Sequence, residues 1–267
     1  MAKKDIEETK QEKEVIQQMP VERTDEKSID AEAELYKGKN FLVDIEEYLK
    51  SGVHIGTKFK TGEMRRYIFK KRRDGLMVFN IETIDNRIKM AAKMLAKYEP
   101  KEIVIVCRRL YGHQPVKKMA AMIGAKAYFG RFIPGTFTNP EARGFHESKI
   151  MLLTDPITDF QAIKEASQVH MPIISIVGSD SPMAKVDLAI PANNKGRKSL
   201  ALIFYLLTRE VLVERKEISR EAFASKISDF EQEIQEGQFE ERQKRRPSSF
   251  GSKGPRRGVQ RRPRRRD

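Results

Sequence analysis

Any chemistry in this chain must come from its carboxylates, hydroxyls, histidines or cations, and these fall into separable groups. Asp155 follows Leu152-Leu-Thr154, and Asp180 stands within Gly178-Ser-Asp-Ser-Pro182, so each aspartate has hydroxyl neighbours. Two such aspartates at strand ends could hold magnesium for phosphoryl transfer. The same residues serve turns and helix caps, because Asp before Pro and Ser-Asp-Ser-Pro satisfy local backbone donors. The turn reading is the stronger one, since the loops that would cradle a nucleotide fail inspection. No Gly-x-Gly-x-x-Gly follows the first strand, and Gly196-Arg-Lys-Ser199 lacks both the Gly-Lys step and the upstream Gly of a phosphate loop. Neither a Gly-x-Ser-x-Gly elbow nor a His-Glu-x-x-His pair is present. His54, His113, His146 and His170 show no ligand spacing, and the single Cys107 excludes disulfides and cysteine-built zinc sites. No cofactor, no metal and no small-molecule substrate are expected, and the chain is not expected to be an enzyme.

The cations tell more. Lys58, Lys60, Arg65, Arg66, Lys70, Lys71, Arg72 and Arg73 fall within sixteen residues that contain one acid, Glu63. Like charges this dense repel one another unless an anion stands near. RNA phosphate is such an anion, and Arg grips it bidentately. The cluster is therefore predicted to bind RNA, against the alternative of a solvated loop. Phe59, Tyr67 and Phe69 are interleaved with it and are expected in the core rather than stacked on bases. Lys195, Arg197 and Lys198 open a helix, where the macrodipole makes each cation cost a few tenths of a kcal/mol. A bound phosphate would reverse that cost; an exposed helix start is the equal alternative. Asn193 or Asn194 is the predicted N-cap. Arg108 and Arg109 follow a strand, and Arg131 sits beside the Gly135-Thr136 turn. Parallel sheets place ligand sites at such strand ends, so an RNA or protein contact and a solvated turn both fit.

The elements that would position these groups alternate. Strands are predicted over Leu76–Ile81, Glu102–Cys107, Lys126–Phe129, Lys149–Thr154, Pro172–Val177 and Asp187–Ile190. Helices are predicted over Glu82–Lys97, with Ile84, Ile88, Ala91 and Leu95 on one face, and over Pro115–Ile123, Asp159–Val169 and Lys195–Lys216. Asp159 is read as the cap of its helix. This alternation implies a three-layer α/β/α sandwich on a mostly parallel sheet.

Charge divides the chain further. Residues 1–40 carry 8 basic and 11 acidic side chains, and residues 41–216 carry 30 and 18. Residues 217–241 carry 2 and 8, and residues 242–267 carry 12 and 1, within an overall balance of +14. The first segment has too little apolar surface to offset ordering entropy and is expected to be disordered or a frayed helix. Residues 217–241 place Phe223, Ile227, Phe230 and Ile234 at helical steps, which predicts an acidic amphipathic helix. Its apolar face would dock on the domain or on a neighbouring protein, with a marginal helix that frays when free as the equal alternative. The Arg-rich tail 242–267 is expected to be disordered and to neutralise phosphates, ordering only on binding, against the alternative of a solvated solubility tail. The longest apolar run, Ala201–Leu207, is far shorter than the roughly 20 residues of a membrane span. Met1-Ala-Lys-Lys-Asp opens no signal peptide, so neither a secreted nor a membrane protein is expected.

Several segments in order carry a resemblance: Tyr48-Leu-Lys-Ser-Gly-Val-His-Ile-Gly56, Gly130-Arg-Phe-Ile-Pro-Gly-Thr-Phe-Thr-Asn139, Leu152-Leu-Thr-Asp-Pro156, Gly178-Ser-Asp-Ser-Pro182 and Val186-Asp-Leu-Ala-Ile-Pro-Ala-Asn-Asn-Lys-Gly196. Over residues 41–216 the chain resembles the small-subunit ribosomal protein two family in its archaeal and eukaryotic form. The bacterial helical hairpin is missing, since about ten residues separate Asn139 from the next strand. The resemblance implies a flavodoxin-like sheet and a structural role in the cytoplasmic small ribosomal subunit. It also implies small-subunit rRNA and neighbouring ribosomal proteins as partners. A nucleotide-dependent enzyme using Asp155 and Asp180, and a free RNA-binding or adhesion module, are the competing readings.

Overall fold

The run Ile103–Cys107 (β3) is apolar at every position, and a strand of that kind must be covered on both faces. The computed structural model, which describes residues 41–142, 144–220 and 222–232, places it inside a five-stranded parallel sheet. Its neighbours are Lys126–Phe129 (β4) on one side and Ile150–Leu153 (β5) on the other. Ile173–Val177 (β6) and Leu188–Pro191 (β7) complete the order β4-β3-β5-β6-β7. Counted from β3, this is the flavodoxin-like order 2-1-3-4-5.

The pleat sends alternate residues to opposite faces. Ile103, Ile105 and Cys107 of β3 join Ile150 and Leu152 of β5 in one core. Val104 and Val106 join Met151 and Leu153 in the other. Helices Ile45–Ser51 (α1), Ile81–Ala96 (α2), His113–Ile123 (α3) and Arg197–Glu214 (α5) bring their apolar residues to the first core. Phe160–Gln168 (α4) covers the second, together with Phe132 and Phe137. The three-layer α/β sandwich expected from the alternation is what forms, and the predicted face of α2 is the buried one.

The structure differs from the sequence reading in several places. Met77–Phe79 (β2) does not join the parallel sheet. It pairs antiparallel with Ile68–Lys71 (β1), a strand the sequence reading left out, to make a separate hairpin. The chain reverses between them because Gly75, at φ 84°, supplies the left-handed residue the turn needs. Asp159 sits at the N-cap position of α4, yet its side chain makes no cap bond and instead accepts from the Arg108 amide at 3.4 Å. Neither Asn193 nor Asn194 is the N-cap of α5; Gly196 holds that position. Asn193 Oδ1 is used one step earlier, accepting from the amides of Lys195 and Gly196.

The acidic amphipathic helix expected over 217–241 does not form within the described residues. Lys216 takes φ 60° and ends α5, and only a short 3-10 turn, Ile227–Phe230, follows. Tertiary burial wins over helical periodicity here. Phe223 and Phe230 both pack edge-on against Tyr205 of α5, and Phe230 is fully buried, worth about 1.5–3 kcal/mol for a side chain of its type. Its acids find cations on the domain: Asp229 lies 3.5 Å from Lys118, and Glu231 lies 3.6 Å from Arg197. The disorder expected for residues 1–40 and 242–267, and the remainder of the helix prediction from residue 233, lie outside the described residues. No helix among the described residues is long and apolar enough to cross a membrane.

Candidate nucleic-acid interface

The sequence-predicted cations occupy two kinds of place. At the carboxyl ends of β3 and β5, where an open α/β sheet presents its crevice, the chain's own side chains fill the space. Arg109 Nε donates to Asp155 Oδ2 at 2.8 Å, and Nη2 reaches the same oxygen. Asp155 is fully buried, and its other oxygen accepts from the Ile157 amide at 3.1 Å. The aspartate is thus a turn former and the counter-ion of an arginine, as its Asp-Pro context suggests. A Cβ at Gly112 would collide with Cys107 Sγ, so the backbone itself closes on this end of β3. Burial, with the Asp155 charge adding to it, pushes the neighbouring Asp159 carboxyl up to about 7. The cause is desolvation of a carboxylate that faces another carboxylate.

The start of α5 is engaged in a similar way. Lys195 Nζ donates to Asp180 Oδ2, and Arg197 faces Glu231 at 3.6 Å. Asp180 therefore holds a lysine of the same chain, and the helix-start cations find carboxylates 15 and 34 residues distant. Lys198, Arg108 and Arg131 remain exposed. Arg108 Nη1 donates to the Thr158 carbonyl at 3.3 Å. Arg131 leads a loop whose Gly135 and Phe137 amides are both fixed by the buried Glu165, at 2.9 and 3.3 Å. Among the described residues no three His, Cys, Asp or Glu side chains gather as a metal-holding group.

The first cluster is different. Arg65 and Arg66 lie on a 3-10 turn, Glu63–Tyr67, that leads directly into β1. Lys70 and Lys71 lie on β1, and Arg72 and Arg73 in the turn to β2, where the Arg72 amide donates to the Leu76 carbonyl at 2.8 Å. Lys58 and Lys60 project from the loop before it. The one acid inside the cluster is occupied: Glu63 Oε2 accepts from the Met183 amide at 2.8 Å. Lys58, Lys60, Arg65, Arg66, Lys71, Arg72 and Arg73 have no carboxylate partner among the described residues. Arg66 stacks on the Tyr67 ring at 4.9 Å, which leaves its guanidinium edge to solvent. An open depression of about 630 Å³ lies between Glu63, Arg65, Arg66, Met183 and Val186.

The aromatic residues divide against expectation. Tyr67 is buried, but Phe59 is 78% exposed and Phe69 is 53% exposed. No local sequence signal could have separated these three, because what decides is the neighbour each meets across the fold. The same holds for the bonds joining the distant motifs. Thr57 N donates to Ser179 Oγ at 2.8 Å, and the Asn193 amide donates to the Val53 carbonyl at 2.9 Å.

Fold and surface together define an α/β scaffold whose sheet crevice is closed by its own ion pair and whose hairpin, outside the sheet, carries a dense group of cations without carboxylate partners among the described residues. The family model described as Ribosomal protein S2 matches residues 48–144 and 145–214. This chain belongs to that family. It is 47% identical over 197 residues to the small ribosomal subunit protein uS2 of Ignicoccus hospitalis, covering 72% of this chain and 93% of the relative. The corresponding protein of Picrophilus torridus is 47% identical, with 73% and 98% covered. That of Thermoplasma acidophilum is 46% identical, with 73% and 99% covered. These relatives are all archaeal, in keeping with the missing hairpin after Asn139.

Proposed function

We propose that this chain is a structural constituent of the small ribosomal subunit in the cytoplasm, binding small-subunit rRNA and neighbouring ribosomal proteins without catalysis of its own. The observation that carries this reading is the β1–β2 hairpin with its lead-in loop. Seven cations there stand without carboxylate partners among the described residues. An unneutralised group of that size favours a polyanion, and phosphate contacts release counterions from RNA. The relatives' names support the same reading, since each is a small-subunit protein.

The cations rank by how free they are. Lys58, Lys60, Arg65, Arg66, Lys71, Arg72 and Arg73 form the principal RNA surface, with the half-buried Lys70 beside them. Lys198, Arg108 and Arg131 are secondary. Arg109, Lys195 and Arg197 first serve their own carboxylates and add least. The segment 222–232 packs on α3 and α5 of its own domain, through Asp229 to Lys118 and Glu231 to Arg197, and so adds no cations to the hairpin surface.

Sedimentation of a cell extract tests the proposal. The protein is expected to travel with small subunits at low salt and to be released as salt rises. A protein that remains wholly at the top of the gradient overturns the reading.

A further inference from the structure

The hairpin surface holds two apolar rings that its charge does not explain. Phe59 and Phe69 are exposed, and lysines stand beside each of them: Lys58 and Lys60 around one, Lys70 and Lys71 after the other. An exposed apolar ring is ordinary when it stands alone on a loose loop. Neither ring is in that position.

Phe59 sits in a loop that is tied down on both sides. Before it, the Thr57 amide donates to Ser179 Oγ at 2.8 Å, and the two hydroxyls are 2.9 Å apart. After it, the Thr61 amide donates to the Ser179 carbonyl at 3.0 Å. Thr57 Oγ1 then donates to the Phe59 carbonyl itself at 3.0 Å, which fixes the backbone at the ring. Ser179 is fully buried, so the anchor is rigid while the ring it presents faces water.

Phe69 is turned out by an irregularity in the ladder. Ile68 pairs with Phe79 and Lys70 with Val78, so two steps on β1 oppose one step on β2. Phe69 is the extra residue of a β-bulge, a device that re-aims a side chain. Both ring-bearing segments attach to the same strand. Val78 pairs with Lys70 on one edge of β2 and bridges to Ile55 on the other. Neighbouring strands lie about 4.8 Å apart, which holds the two carriers within about 10 Å of each other at that level.

We propose that Phe59 and Phe69 are stacking platforms for unpaired RNA bases, so that the hairpin takes single-stranded or looped RNA in preference to duplex. This rests on the RNA reading above and adds the class of RNA. Phosphates on the surrounding Lys and Arg side chains would steer the strand, and the pre-positioned rings would receive its bases. A duplex offers phosphates to the cations but no free base face to the rings.

The test uses the full chain in fluorescence-anisotropy titrations at one fixed salt concentration. The probes are a short mixed-sequence single-stranded RNA and the same strand annealed to its complement. Phe59→Leu and Phe69→Leu are expected each to weaken single-strand binding about tenfold, and to change duplex binding less than about twofold. Phe59→Tyr and Phe69→Tyr keep a ring and are expected to retain the native affinity. Circular dichroism spectra and unfolding midpoints unchanged from the parent keep the comparison clean. Leucine variants that bind the single strand as the parent does overturn the stacking proposal, as do equal losses on both probes. If the parent binds neither probe, the RNA reading itself falls. If it binds both while the rings are inert, only the present inference falls.

Discussion

Arg109 and Arg66 are the same side chain in opposite electrostatic settings. At the carboxyl ends of β3 and β5, Arg109 lies on the buried Asp155 and closes the crevice that an α/β enzyme leaves for its cofactor. On the hairpin, Arg65, Arg66, Arg72 and Arg73 meet no carboxylate among the described residues, and the acid among them serves a backbone amide of residue 183. The first arginine is part of what holds the domain together. The other four cost a little repulsion when free and gain when a polyanion arrives. Equal counts of basic residues therefore mean different things, depending on whether the fold delivers a counter-ion.

The largest expected effect lies at the strand ends. Arg109→Ala leaves a fully buried carboxylate without its partner and is expected to lower stability by about 3–5 kcal/mol in urea unfolding. The salt dependence of RNA binding should barely move. An unchanged unfolding midpoint would erase the distinction between the two regions.

Asp159 sharpens the same side of the comparison through pH. Its carboxyl is pushed up to about 7 in the fold, against about 3.9 when unfolded. Between those values the native state keeps a proton that the unfolded chain has released. Its contribution is thus fully present below about pH 4 and lost as pH rises towards 7. Asp159→Asn should remove that decline, a gain of a few kcal/mol at pH 8 relative to the parent, read from unfolding at several pH values. A parent and variant that differ equally at pH 4 and pH 8 would contradict the assignment.

On the hairpin, replacing Arg65, Arg66, Arg72 and Arg73 by Ala together should reverse the pattern. Stability should change by no more than about 0.5 kcal/mol per site. The slope of log affinity for small-subunit rRNA against log salt should fall by about three, since each phosphate contact contributes roughly 0.7–0.9. A slope that stays as in the parent would move the contact surface to another part of the chain.

Lys195→Ala should have the smallest effect. Its partly exposed pair with Asp180 is worth about 1 kcal/mol or less, and the salt slope should change by less than one. A slope change as large as that of a hairpin arginine would place the start of α5 among the principal RNA contacts.

Much of the fold was legible in the sequence, for reasons that are local. Ile103–Cys107 and Ile173–Val177 are apolar throughout, as strands buried on both faces must be. The steps Ile84, Ile88, Ala91 and Leu95 mark one helical face wherever the helix packs. The candidate site was legible only as a list of cations. Periodicity also misled where burial overrode it, at Phe223, Ile227 and Phe230. There the rings pack against Tyr205 and hold the chain off a regular helix. The hairpin escaped detection because β1, Ile-Phe-Lys-Lys, has too few apolar residues to stand out.

The sequence by itself determined the layered α/β architecture, the family and the concentration of positive charge between residues 58 and 73. Those follow from neighbours along the chain: side-chain type, spacing and local charge density. The tertiary structure alone decided which of the cations are free and which aromatic rings face water. Arg109 meets its carboxylate 46 residues away, Arg197 meets one 34 away, and the loop carrying Phe59 is pinned by a serine 122 residues from Thr57. Charge neutralisation and burial act through space, and a chain's spatial neighbours are set by packing rather than by its order.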